Sequence, residues 1–117
     1  MIIRRFAYLL AFTLVPLSAQ AQSFNCKTAD RPDEVLICQD SRLSTLDERM
    51  SSMYFGLRNS LGGSAHLRLE ADQVGWLRAR MGCGRDYRCI SRAYDRRIGQ
   101  LDNLLIFHGT TFAATRK

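Results

Sequence analysis

No stretch of this chain alternates apolar and polar residues with a period of two over a useful length, so strands are not expected. No internal repeat is present beyond two cysteine-bounded turns. Residues able to do chemistry are equally sparse. Acid clusters outside the first short helix are limited to Asp47-Glu48 and to Glu70 with Asp72, where a helix face would carry solvated, arginine-paired acids. His66 follows a Gly-Gly turn and His108 lies near the end, and both read as surface histidines. Gly62-Gly63-Ser64 lacks the rest of a phosphate-binding loop. An enzyme needs a nucleophile, a base or a metal held in place. The chain is therefore read as a non-enzyme with no cofactor and no metal.

What the chain does have begins with Met1-Ile2-Ile3-Arg4-Arg5, the apolar run Phe6 to Val15, Pro16, and the small-x-small triplet Ala19-Gln20-Ala21. That order is a secretory signal peptide over residues 1–21. The apolar run is shorter than the ~20 residues needed to span a bilayer. Ser23-Phe24-Asn25 before Cys26 lacks the small residues that usually precede a lipid-modified cysteine. The mature chain is expected in the periplasm or secreted, neither membrane-spanning nor lipid-anchored.

Residues 22–117 suffice for one small domain. All four cysteines, Cys26, Cys38, Cys83 and Cys89, fall there, and an even count in a small exported chain is a disulfide framework. Three pairings are possible. The local ones, Cys26–Cys38 and Cys83–Cys89, are favoured because one turn brings each pair together. Zinc fits poorly: neither pair is C-x-x-C, and the histidines lie far off in sequence. Removing the signal segment, with its two arginines and no acids, takes the net charge from +6 to +4. Such a surface attracts phosphates, anionic glycans and acidic proteins in a salt-dependent way. Nucleic acid is not expected as the target of an exported chain.

Four helices follow from periodicity and punctuation. Asp30, Pro32 and the acids Asp33 and Glu34 mark a short first helix, with Asp30 as its cap. Asp40-Ser41 starts a second, whose apolar stripe is Leu43, Leu46, Met50, Met53, Leu57 and Leu61, widened by Tyr54. Ser64 caps a third, from about Ala65 to Met81, with Leu67, Ala71, Val74, Leu77 and Met81 on its expected core face. Gln73, Trp76 and Arg80 form a neighbouring stripe, with the Trp76 ring buried at a helix contact and its N–H on an acceptor. Gly82 and Gly84 suit a tight reversal, stapled by Cys83 and Cys89. The fourth helix starts near Asp86 or Tyr87, presents Ile90, Ala93, Tyr94, Ile98, Leu101, Leu104 and Leu105, and fades near Phe107, leaving 108–117 as a flexible tail. The fold class is all-α: one short helix and about three longer ones, disulfide-stabilised, in a domain over 22–107.

These residues also carry a resemblance. Ser23-Phe24-Asn25-Cys26, Glu34-x-x-Ile37-Cys38, Leu43-x-x-Leu46-Asp47 and Met53-Tyr54 resemble the first half of the LprI-type lysozyme inhibitor domain. Gln73-x-x-Trp76-Leu77-x-x-Arg80, Cys83, Cys89, Tyr94, Arg97-Ile98 and Leu101 resemble its second half, for a match over about residues 23–105. The family usually has an acidic or polar residue where Met81 stands. The resemblance implies a small disulfide-bonded helical domain of the bacterial cell envelope that binds and inhibits lysozyme. The alternative is an adaptor for another envelope protein or an anionic glycan. The candidate contact surface is Trp76, Arg78, Arg80, Arg85 and Arg88.

Overall fold

The computed structural model describes residues 23–114, with side chains placed through Gly109. The signal segment lies outside the described residues. Four helices make up the domain: α1 Pro32–Gln39, α2 Ser41–Ser60, α3 Gly63–Gly82 and α4 Tyr87–Ala114. The main packing contact is between α2 and α4, with α1 and α3 laid against that pair.

Each helix boundary has a local cause. Pro32 occupies the first turn of α1 with Asp33 and Glu34, and the cap position is Arg31, without a side-chain bond, in place of the expected Asp30. Asp40 is extended (φ −107°, ψ 121°), which ends α1, and its carboxylate accepts from Leu43 N at 2.9 Å, which starts α2. One residue therefore makes the corner. Ser44 Oγ donates to Ile37 O at 2.6 Å and ties the corner shut. Gly62, rather than Ser64, precedes α3. Gly84 takes φ +59°, which L side chains rarely adopt, in the reversal between α3 and α4. Asp86 Oδ1 then accepts from Cys89 N at 3.1 Å at the start of α4. Both favoured disulfides form, Cys26–Cys38 across the approach to α1 and Cys83–Cys89 across this reversal.

The core is Ile37, Leu43, Met50, Leu57, Leu69, Ile90, Tyr94, Ile98 and Leu101, with Leu46, Met53, Tyr54 and Trp76 packed against it. The α2 stripe and the α4 stripe through Leu104 thus face inward as their periodicity requires, whereas Leu105, expected on the same face, is 38% exposed. The α3 stripe does not face inward. Leu67 is 67% exposed, Val74 48% and Met81 43%, while Leu69, Gln73 and Arg80 are buried. The helix has turned its mixed polar and aromatic stripe to the centre, because Arg80 finds carboxylates there and the aliphatic stripe does not need them. The fourth helix also differs from expectation, continuing as regular helix from His108 to Ala114. Apolar periodicity reports burial, not helicity. Leu101 is fully buried but Phe107 is 68% exposed, so the pattern fades where burial does.

This placement is tested by equilibrium denaturation of two α3 variants. Leu69→Ala is expected to cost about 2–5 kcal/mol, and Val74→Ser to stay within about 0.5 kcal/mol of the parent. Equal costs would mean that α3 is rotated wrongly.

Candidate functional site

At the centre of the domain lies a polar network, not an apolar contact. Arg80 is 1% exposed, and its Nε donates to Asp33 Oδ2 at 2.9 Å. Its Nη1 donates to the Tyr94 hydroxyl at 3.2 Å and lies 3.6 Å from Asp47 Oδ1, while Nη2 lies 3.8 Å from Glu34. The Tyr94 hydroxyl in turn donates to Asp47 Oδ1 at 2.8 Å. Asp47 also accepts from Ser23 N at 2.9 Å and Ser23 Oγ at 2.7 Å. Above the guanidinium sit Phe24 and Trp76, with ring centroids 5.2 and 5.5 Å from its central carbon. Trp76 packs edge-on against Tyr94 and donates its indole N–H to Ala93 O at 2.8 Å, as its sequence position requires. Burial alone would pull the Arg80 pKa down, yet Tyr94 and Asp33 raise it above the ordinary arginine value. Burial, with the Asp47 charge beside it, pushes the Tyr94 phenol well above its ordinary range.

This arrangement corrects two expectations. Asp47 is fully buried, not a solvated surface acid. Arg80 cannot belong to a contact surface, since its charge is consumed inside. Residues two apart on a helix differ by about 200° around its axis, which is why Arg78 is exposed while Arg80 is not. Arg85 and Arg88 are exposed on and just after the Cys83–Cys89 reversal, and Trp76 is half-buried. Four-residue spacing also reveals Arg92 and Arg96, which continue from Arg88 along exposed α4 and line a shallow concavity of about 210 Å³ with Asp86 and Cys89. The surface cluster is thus Arg85, Arg88, Arg92 and Arg96. Arginines at this spacing repel one another, and those in the first turn also face the positive end of the helix dipole. The cluster is unfavourable to the isolated helix and available to an anionic partner.

A second concave surface lies between α3 and α4. It encloses about 690 Å³ and is lined on one side by Ala71, Gly75, Ala79 and Trp76, on the other by Arg96, Arg97, Gln100 and Asn103. No group of three or more His, Cys, Asp or Glu side chains able to hold a metal ion occurs among the described residues. No described helix is long and apolar enough to cross a membrane.

Comparison with known proteins gives one clear likeness. Over 83 residues, 68% of the chain, the sequence is 32% identical to Lipoprotein LprI of Mycobacterium bovis (strain ATCC BAA-935 / AF2122/97). The same values hold for Lipoprotein LprI of two Mycobacterium tuberculosis strains, CDC 1551 / Oshkosh and ATCC 25618 / H37Rv. The chain is LprI-like. It spans 41% of the length of these curated relatives. No protein-family model matches it, and no solved structure does. In this LprI-like chain Cys26 is bridged to Cys38, so its sulfur is not free to carry a lipid thioether.

The Tyr94 environment predicts a pH dependence. Below pH about 10 the phenol is neutral in both folded and unfolded chains. Above that value the unfolded phenol ionises while the folded one holds its proton, so stability falls as pH rises. Tyr54, whose pKa burial also raises, adds to the slope. Tyr94→Phe is expected to cost about 1–3 kcal/mol near neutrality and to flatten the loss seen in urea midpoints measured across that alkaline range. An unchanged slope would contradict the assignment.

Proposed function

We propose that the chain is an exported bacterial envelope protein, not an enzyme, that binds lysozyme and inhibits it by occluding the enzyme's cleft. The observation that carries this reading is the 32% identity to Lipoprotein LprI over 83 residues, joined to the four cysteines, Trp76 and Arg80 of the lysozyme-inhibitor pattern. In the structure these residues build the scaffold: two staples and a buried ion network. Export is supported by the paired cysteines, since disulfides persist in oxidising compartments, and by the signal-like first 21 residues.

Because Arg80 is internal, the partner-facing charge is assigned to Arg85 and Arg88 at the stapled reversal, extended by Arg92. An inserted arginine there meets a cleft carboxylate by charge-assisted hydrogen bonding. Long-range repulsion from a basic lysozyme slows encounter, while local complementarity sets the bound state. A second reading, an adaptor docked on another envelope protein, is supported by the apolar groove between α2 and α3, lined by Tyr54, Phe55, Val74 and Leu77.

Lysis of cell-wall substrate by several lysozyme types, with and without the oxidised protein, tests the proposal. Dose-dependent inhibition that disappears on reduction is expected. Replacing Arg85 and Arg88 by Glu is expected to weaken inhibition about tenfold or more with the melting temperature unchanged or raised, since an acid in the first turn of α4 suits the helix dipole. Absence of inhibition and binding for every lysozyme type would leave the adaptor reading.

A further inference from the structure

Arg97 is the second buried arginine of the domain, 2% exposed, and its surroundings differ in kind from those of Arg80. Its Nε donates to Gln73 Oε1 at 2.9 Å and its Nη1 to Gln100 Oε1 at 3.2 Å. Both partners are neutral amides. Its Nη2 is buried without any hydrogen-bond partner. No carboxylate forms an ion pair with it among the described residues; Asp72 supports its charge only from a distance, and burial pulls its pKa below the ordinary arginine value. A buried cation without a counter-charge is costly, and a guanidinium fork half-filled by an amide is built to take a carboxylate through two parallel bonds.

Arg97 is among the residues that line the groove between α3 and α4, with Nη2 buried behind that lining. Gln100 is exposed and stands at the fork, so its amide can leave without disturbing the core. Opposite it, Ala71, Gly75 and Ala79 make a smooth wall, and a Cβ added at Gly75 would meet nothing within 4 Å. The groove volume of about 690 Å³ falls in the range of small-ligand sites.

We propose that this groove binds the acidic sugar of a carboxylate-bearing glycan. The carboxylate displaces the Gln100 amide and takes Nη1 and Nη2 of Arg97, the pyranose ring lies along Trp76 and the small-residue wall, and Asn103 and Asp72 meet its hydroxyls. An acidic peptide fits less well. The groove spreads donors and acceptors (Arg96, Gln100, Asn103) along one wall against a flat small-residue wall with no deep apolar side-chain pocket, and Asp72 repels a second carboxylate. Arg96, also on the wall, leaves the groove with two cations against one acid. This site is separate from the arginines assigned to lysozyme.

Titration of the oxidised protein with N-acetylmuramic acid, followed by calorimetry or by amide shifts in NMR, tests the site. Its two halves, N-acetylglucosamine and lactate, serve as controls beside a glutamate-rich peptide. Saturable binding of the sugar acid is expected, with each control about tenfold weaker or more. Arg97→Met is expected to abolish binding. Because that change could also disturb the fold, Gln100→Glu is the decisive variant: its own carboxylate fills the fork, so binding is lost while the melting temperature is maintained or raised. Lysozyme inhibition by Gln100→Glu stays at the parent level, which separates failure of this site from failure of the inhibitor reading. No saturable binding of the sugar acid, equal binding of lactate, tighter binding of the peptide, or full binding by Gln100→Glu would each overturn the proposal.

Discussion

A single guanidinium at the centre of the domain sets most of what surrounds it. Burying an arginine costs several kcal/mol unless its charge and its donors are matched, and Arg80 is matched from three directions. Asp33 comes from the first turn of α1, Asp47 from α2 and Tyr94 from α4, while Arg80 itself comes from α3. All four helices therefore meet in one network. Phe24 and Trp76 cover it, and Ser23 closes the remaining Asp47 bonds. The Cys26–Cys38 bridge acquires a second role in this light, since it holds the segment that carries Ser23 and Phe24 near the network they complete.

The same constraint explains what could and could not be read from the chain. Helices α2 and α4 were legible because their buried faces are apolar and recur at threes and fours. The α1–α2 corner was legible through Asp40, and the disulfides through their local spacing. Helix α3 was legible as a helix but not in its rotation. Leu67, Val74 and Met81 make the more regular apolar stripe, and only knowledge of the acids across the core shows why Arg80 displaces it. Asp47 was misplaced for the same reason: a carboxylate on an amphipathic helix reads as solvent-facing until a buried tyrosine and arginine are seen to claim it. The extent of α4 escaped because its apolar pattern loses burial past Leu101, with Ile106 60% and Phe107 68% exposed.

The candidate surface was half visible. Arg85 and Arg88 are exposed as expected, Arg80 is not, and the continuation to Arg92 and Arg96 shows only once the helix places four-residue neighbours together. Arg97 had no sequence signal of its own beyond the inhibitor-domain pattern. Its interest comes from contrast: two buried arginines in one small domain, one surrounded by carboxylates and one held by amides at the edge of a groove. The first is spent on folding. The second retains binding capacity.

The central claim, that the Arg80 network holds the four helices together, is tested most directly by a double-mutant cycle on Arg80→Met and Asp33→Leu, read by chemical denaturation. Each single change is expected to cost about 3–5 kcal/mol, because it strands a buried charge. The double change is expected to cost less than the sum by about 2 kcal/mol or more. Single costs below about 1 kcal/mol, or strictly additive ones, would show that the helices are held by the apolar core alone.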